Sequence, residues 1–505
     1  MSLKMLENDL NNAHILTVQN ASADIFMAYC KRMKTEGFTQ KEAHPGYAAF
    51  QKDGVGCFVN YYPTIQEMRV VTEPDSAYFS YADVCGKFVV DPRITQVHLE
   101  DFGMSYAIRL SDGRFILIDG GNSYEPDADR LFETLKAGSL TEKPIIAGWI
   151  MTHAHSDHFH CIFPFMDKYG SKVVVEKFFF NFPAADDTEH YPKMTDRDPR
   201  RTENTANTVT IPRFLAIVKE LDVPVYTPHT GQTYKIGDAL CEILASPDDT
   251  VHCSQNINAT SLVIRMELGG QVILWGGDAG FEYAKLAERC ADRLKADILQ
   301  IPHHGFGCGS AEAQIAAFDL IDPKVCLLPA GDYVSYDLFS AFKEGTRHLM
   351  TNLHVQEVID GEHTRTITLP YSPKPCAKEQ YLRRYQEGQA GAGDKHWFFT
   401  DLSTARKEDF TFTVINVTAH KAKVIIELFF DGAPKVNFIQ TELPINRMTR
   451  LCIIDPEQVE SETRFFNPNS LKTVGIPENA VMAVRFISDG PIIVSHPDHK
   501  AAYHG

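Results

Sequence analysis

The sequence predicts an α/β protein: a central αββα sandwich, a small α+β unit before it and an all-β sandwich after it. Three observations carry this expectation. Apolar strand-like runs alternate with amphipathic helical stretches over residues 91–375. Before that region, one helical stretch is followed by short alternating runs separated by turn residues. After it, alternating runs continue without a convincing helix. At 505 residues the chain is also too long for one hydrophobic core. The boundaries that follow are 1–90 for the small α+β domain, 91–375 for the central domain, 376–394 for a linker and 395–505 for the β-sandwich.

In the first segment, residues 21–37 read as one amphipathic helix. Ile25, Phe26, Tyr29 and Met33 fall near helical spacing, and Gly37 supplies the stop. Residues 47–51, 56–62 and 66–72 then alternate apolar and polar, with Lys52-Asp53-Gly54 and Pro63 as turns. This is a helix on an antiparallel sheet, and nothing in it carries obvious chemistry.

In the central segment, 105–110 and 114–118 form a hairpin about Ser111-Asp112-Gly113. Residues 144–151 make a buried strand, 159–169 a helix closed by Gly170, 172–182 a further strand and 212–221 an amphipathic helix. Strands are expected again at 239–244, 261–268, 271–275, 298–301 and 325–329. Two sheets flanked by helices accommodate this order. In the last segment, the glycine-containing run 386–394 reads as linker, and 410–417, 423–429, 480–487 and 492–495 read as strands of a sandwich.

Composition excludes several classes. No run approaches the roughly 20 apolar residues of a membrane-spanning helix, and the first ten residues lack the apolar centre of a signal peptide. A cytoplasmic protein with no membrane partner is expected. The net charge of −17 disfavours broad nucleic-acid binding, because a surface of that sign repels polyanions. The 11 cysteines contain no Cys-x-x-Cys pair, which fits reduced thiols better than a disulfide framework.

The chemistry concentrates in Thr152-His153-Ala154-His155-Ser156-Asp157-His158. It follows an apolar strand and precedes a helix. On a tight loop there, His153 and His155 can face one cation, and Asp157 and His158 a second. Imidazole and carboxylate are the donors that a borderline divalent ion prefers. Companions stand at other strand ends. Asp119, before Gly120-Gly121, can accept a hydrogen bond from a ligating histidine. Asp278, in Gly276-Gly277-Asp278, can bridge two cations, and His303-His304-Gly305 offers a histidine pair.

Taken in order, these residues resemble the metallo-β-lactamase superfamily over about residues 95–370. Within it, 256–265, Gly276-Gly277-Asp278-Ala279 and 296–305 look most like the hydrolase domain of ComEC-type DNA-uptake proteins and their soluble relatives. The resemblance implies His153 and His155 on one metal; Asp157, His158 and His304 on the other; and Asp278 shared. His304 is preferred over His303 because it directly precedes Gly305. The implied cofactors are two divalent ions, zinc first, with manganese or iron as alternatives. There is one departure. Most superfamily hydrolases place a histidine just before the strand at 261–268, where this chain has Asn256 and Asn258, with His252 upstream. All three are candidate ligands or supporting groups for an incomplete first site. Ala154 stands where oxygen-reducing diiron members carry Glu, and Asp278 where the commonest β-lactamases carry Cys, so neither chemistry is the first expectation.

The expected reaction is hydrolysis by a metal-activated hydroxide, with Asp157 as a ligand that also orients the hydroxide and His303 as proton donor to the leaving group, against the reading of His303 as a structural histidine beside a ligand. A phosphodiester or other small anionic ester is the leading substrate class. The basic loop 193–201 offers Arg200 and Arg201 as substrate contacts, against the reading of a solvated loop with internal ion pairs. Two alternatives stand: a carboxyl-ester, lactone or amide hydrolase of the same fold, and a non-catalytic metal-stabilised binding protein acting through its C-terminal sandwich. Residues 397–399, 413–417, 422–431, Pro434, Asn446-Arg447 and 490–496 resemble the small β-sandwich of the sensory-rhodopsin transducer family, which implies binding or homo-oligomer assembly.

Overall fold

The computed structural model describes residues 2–100, 103–187, 190–191, 207–306, 309–329, 348–349, 354–361, 363–374, 396–416, 422–431, 436–443, 448–452, 480–490, 492–496 and 503–504. They fall into two compact units, one up to residue 377 and one beyond it. The linker expected at 376–394 and the basic loop with Arg200 and Arg201 lie outside the described residues, as do Pro434 and Asn446-Arg447.

The first unit begins with a six-stranded antiparallel sheet. Its order is Lys4–Leu10, Ala13–Gln19, Glu67–Glu73, Val55–Tyr62, Tyr47–Lys52, Thr39–His44. The helix Ala23–Thr35 packs on one face, capped by Ser22, whose side chain accepts from the Ile25 amide. Alternation decides the two faces. Val18, Phe50, Val59 and Val70 meet the helix residue Met33. Ile15, Ala49, Phe58 and Val71 point the other way, into the core of the central sheets. The sheet is therefore buried on both sides, not half exposed. Its outer strands, Lys4–Leu10 and Thr39–His44, are mostly solvent-facing, so they lack the apolar pattern that marks the inner ones.

Two sheets form the central sandwich. The eight-stranded sheet runs Val225–Tyr226, Phe178–Phe179, Ile145–Ile150, Phe115–Asp119, Ser105–Arg109, Arg93–Gln96, Arg365–Thr368, with Val174–Val175 also on Ile145–Ile150. The seven-stranded sheet runs Thr233–Ile236, Ala239–Ala245, Val263–Leu268, Gln271–Trp275, Ile298–Gln300, Val325–Leu327, Glu357–Ile359. The sheets meet through side chains such as Tyr106 and Trp275, whose rings lie 4.9 Å apart edge to face. Helices Glu125–Gly138, Ile162–Tyr169 and Asn207–Leu221 cover the first sheet. Phe132 stacks on Tyr169 at 4.0 Å, and Phe214 packs on Phe178. Leu286–Cys290 and Ala311–Ile321 flank the second sheet, with Phe281 against Phe318. This is the αββα arrangement expected.

Three element boundaries differ from the sequence expectation. The helix expected at 159–169 is split into Ser156–Phe159 and Ile162–Tyr169. The Cys161 amide leaves the helical ladder to bond the Gly121 carbonyl, tying the histidine loop to the neighbouring strand end. The strand expected at 172–182 is reduced to the pairs Val174–Val175 and Phe178–Phe179. The helix expected at 212–221 starts at Asn207 and carries Pro212 inside it.

The second unit has a five-stranded sheet of Val436–Leu443, Ala422–Phe430, Val481–Ser488, His396–Ser403 and Tyr503–His504, and a three-stranded sheet of Met448–Cys452, Thr411–Asn416 and Ile492–Ser495. Phe412 of the small sheet meets Phe486 of the large one at 4.8 Å, and the Trp397 indole donates to the Ile492 carbonyl at 2.9 Å. This is an all-β sandwich, as expected.

Candidate metal centre

Four chain segments far apart in sequence end at one point between the two sheets. The strand Phe115–Asp119 ends in Asp119, and Ile145–Ile150 leads into the histidine loop. Gln271–Trp275 leads to Asp278, and Ile298–Gln300 to His303 and His304. Parallel pairing of the last two strands sets their carboxyl ends side by side. The buried Gln300 carboxamide locks that placement: its oxygen accepts from the Gly276 and Gly277 amides, both at 2.8 Å. Gly277 sits at φ +53°, and a side chain there would press on Ser261 and Thr152 at 3.0–3.1 Å. His303 and His304 both occupy the left-handed region, at φ 50° and 51°. Such backbone is costly for a side-chain-bearing residue and persists only where the surroundings impose it.

Two ligand clusters result. Asp157, His158, Asp278 and His304 place one donor atom each within 4.8 Å of one another, and His153, His155 and Asp278 do the same. Asp278 belongs to both. His158 Nε2 is 3.2 Å from Asp278 Oδ1 and 3.6 Å from Asp157 Oδ2, and His304 Nε2 is 3.1 Å from Asp157 Oδ2. Three of the histidines, His153, His158 and His304, follow one design: Nδ1 is engaged from behind and Nε2 is presented forward. His158 Nδ1 donates to Asp119 Oδ2 at 2.7 Å, His304 Nδ1 to the Pro329 carbonyl at 2.6 Å, and His153 Nδ1 lies 3.2 Å from Thr152 Oγ1. Asp119 is itself fully buried at φ 55°, and accepts from both the amide and the hydroxyl of Thr152 at 2.7 Å.

The electrostatics match a cation site. Burial alone would raise the carboxylates, yet His158 and His304 hold Asp157 and Asp278 well below the usual range. Burial would lower His304, but Asp278 and Asp157 push it up to about 10. His158 is driven up against its burial by Asp278, Asp157 and Asp119. His153 goes the other way: burial and the neighbouring His158 ring keep it neutral. Protons on His158 and His304 thus stand where positive metal charge would stand. His153 Nε2 is buried and has no hydrogen-bond partner among the described residues, and Asp278 Oδ1 faces only the rings of His158 and His304, at 3.2 and 3.6 Å. Buried polar atoms left in that state call for a further ligand. The donor set is imidazole and carboxylate, suited to a divalent ion.

The other candidates separate. His303 Nε2 lies 3.0 Å from Asn258 Nδ2 and 3.9 Å from Asp278 Oδ2, with a quarter of its side chain exposed. Asn258 is buried, and its Oδ1 has no hydrogen-bond partner among the described residues. Asn256 instead caps the turn Ile257–Thr260, its side chain accepting from the Asn258 amide. His252 joins neither cluster. Its charged surroundings include Arg69, Glu67 and Lys285, a place that suits the alternative of a loop histidine. Sequence reasoning assigned no role to Gln300, Thr152 or Ser261, whose hydroxyl receives the Asp278 amide at 3.1 Å. Their position inside or beside the ligand motifs was the available signal.

Residues 99–239 match the model of the metallo-beta-lactamase superfamily. That span contains Asp119 and the histidine loop, whereas Asp278 and His304 lie beyond it and are supplied by the fold. No curated protein matches the chain. Among solved structures, similarity extends to Igni18, a metallo hydrolase from the hyperthermophilic archaeon Ignicoccus hospitalis, at 13% identity over 55% of this chain and 99% of that one, TM-score 0.33. It extends also to a beta-lactamase domain protein from Burkholderia ambifaria, at 11% identity over 47% and 55%, TM-score 0.19. The Anabaena sensory rhodopsin transducer matches at 18% identity over 21% of this chain and 82% of that one, TM-score 0.16. The superfamily model thus falls on the first of the two central sheets and its histidine loop, and the two clusters that share Asp278 could hold a pair of divalent ions.

Proposed function

We propose that this protein is a dinuclear metallohydrolase of phosphodiesters or other small anionic esters. The observation that carries the reading is the sharing of Asp278 between two adjacent ligand clusters. His153, His155 and Asp278 would hold one ion, and Asp157, His158, His304 and Asp278 the other. When bound, a pair of divalent ions lowers the pKa of water toward neutrality and neutralises charge that develops on the substrate.

The chain's own residues supply the rest. Asp119 fixes His158 in the tautomer that keeps Nε2 unprotonated for coordination. Asp157, whose carboxylate faces both His158 and His304, orients the attacking water. His303, partly open to solvent beside Asp278, is in this reading the proton donor to the leaving group. Anionic substrates suit a centre whose donor set is designed around positive charge, and the ComEC-like motif at 296–305 favours phosphodiesters among them. Zinc is the first choice of metal for imidazole and carboxylate donors, ahead of manganese and iron. A cytoplasmic location, and assembly of copies through the transducer-like C-terminal sandwich, complete the reading.

One observation favours a second reading. With Asn258 in place of a histidine, the first cluster has three strong donors, one of them shared. A weakly held first ion would make the chain a metal-stabilised binding protein. The deciding experiment is metal analysis by mass spectrometry, with turnover of bis(p-nitrophenyl) phosphate, a carboxyl ester and a lactone before and after chelation. Two ions per chain and chelator-sensitive phosphodiester cleavage, abolished in His153→Ala and His158→Ala, are expected. One ion with no turnover of any ester would select the second reading.

A further inference from the structure

The two ligand clusters are assembled from two different sheets. The eight-stranded sheet leads into the loop of His153, His155, Asp157 and His158, and the seven-stranded sheet leads to Asp278 and His304. Gln300 acts within the seven-stranded sheet, on the Gly276 and Gly277 amides. Setting His304 against Asp157 and His158 needs a contact that crosses from one sheet to the other.

Gln96 makes such a crossing. It ends the strand Arg93–Gln96 of the eight-stranded sheet, in register opposite Tyr106, and is 3% exposed. Nε2 donates to the Leu328 carbonyl at 2.8 Å, and Oε1 accepts from the Tyr106 hydroxyl at 3.0 Å. Leu328 directly follows the strand Val325–Leu327 of the seven-stranded sheet. The next residue is Pro329, whose carbonyl accepts from His304 Nδ1 at 2.6 Å. The carbonyl that Gln96 grips and the carbonyl that holds His304 are therefore neighbours in the chain.

The chemistry fixes which way the Gln96 amide points. A carbonyl can only accept, so the NH₂ end faces Leu328 and the oxygen faces Tyr106. Burial, with Asp119 adding to it, pushes the Tyr106 phenol up, so its hydroxyl remains a donor. Pro329 has no amide with which to continue a strand ladder, so a side chain from the opposite sheet ties down this strand end instead. Without the Gln96 donor, the Leu328 carbonyl loses a buried partner. Relief by rotation of the backbone at 328–329 carries the Pro329 carbonyl away from His304 Nδ1.

We infer that Gln96 is a positioning residue for the ion site of Asp157, His158 and His304: across the two sheets, it fixes the carbonyl that orients the His304 ring. The inference rests on the dinuclear reading above, and the test separates the two. It compares wild type with Gln96→Met, which keeps the length and loses both bonds. Val59→Ala, buried in the N-terminal sheet against its helix, is the control for lost stability alone. Competition with a chromophoric chelator follows metal binding, and the step weakened in His304→Ala identifies the site. Gln96→Met is expected to weaken that step about tenfold and to leave the other within about threefold, with neither moved in Val59→Ala. In the metal-free chain, the His304 Nδ1 proton resonance, assigned by its loss in His304→Ala, should shift or broaden in Gln96→Met and not in Val59→Ala. Should Gln96→Met fail to fold, Tyr106→Phe, which frees one end of the carboxamide, is expected to move the same resonance and to weaken the same step about threefold. An unchanged step and resonance in the folded variant overturn the inference, as does an equal change in Val59→Ala. Fewer than two ions in wild type, with the resonance still displaced in Gln96→Met, would refute the dinuclear reading and support the positioning role.

Discussion

Replacing Asp119 by Asn removes one charge and leaves the volume almost unchanged, so the structure allows its effect to be worked out. The carboxylate accepts three hydrogen bonds, from the Thr152 amide, the Thr152 hydroxyl and His158 Nδ1, each at 2.7 Å. An Asn has one acceptor oxygen for these three donors. If that oxygen stays on the Thr152 amide, the new NH₂ faces His158. The ring must then move or switch tautomer, placing its proton on Nε2, where a metal needs the lone pair. If the amide is flipped, two N–H groups confront each other in a site with no water access. Either way a charge-assisted bond worth about 1.5–3 kcal/mol is lost. Metal affinity falls about 10–100-fold, as is usual when the group behind a ligating histidine is removed. The loss should be confined to the ion held by His158, Asp157 and His304. Competition against a chromophoric chelator would resolve the two binding steps: one weakened as stated, the other within about a factor of three. Two unchanged steps together with unchanged melting would refute the role assigned to Asp119.

Other consequences follow from the same geometry. Gln300→Leu leaves the Gly276 and Gly277 amides buried without their acceptor, at a cost of about 2–4 kcal/mol in urea unfolding, and weakens both ions because Asp278 shifts; full stability and metal content in the variant would contradict this. Gly121 has φ +93° with Leu99 carbons 2.8 Å from the site of an added Cβ, so Gly121→Ala should cost about 1–3 kcal/mol, read from the same unfolding curves, and a neutral substitution would be a failure. Burial would lower His229, but Asp248, which accepts from its Nδ1 at 2.8 Å, and Glu73 push it up to about 10 in the folded chain, so its contribution is complete below an unfolded value near 6.5 and is lost as pH rises toward 10. Stability measured from pH 6 to 10 should therefore fall less steeply in His229→Gln than in wild type, and identical slopes would argue against the ion pair. Chelation should lower the melting temperature, since ions that bind only the folded chain stabilise it by mass action; no shift would count against resident metal.

The sequence on its own carried the ligand loop, because His-x-His-x-Asp-His is local: a strand end and a tight turn suffice to bring those side chains together. It carried the inner strands as well, since a buried face writes an alternating pattern into the chain. The edge strands Lys4–Leu10 and Thr39–His44 wrote no such pattern, being exposed, and could not be read. Candidates separated by more than a hundred residues were a different matter. That His304 meets Asp157, while His252 lies near Arg69, depends on which strands pair and where their ends fall. The same holds for the second face of the N-terminal sheet and for the bridge from Gln96 to the Leu328 carbonyl, whose ends are 232 residues apart. Spacing in the chain constrains what a turn can assemble; only packing between sheets decides which distant side chains share one dry, charged space, because that choice is made by the burial of all the other residues around them.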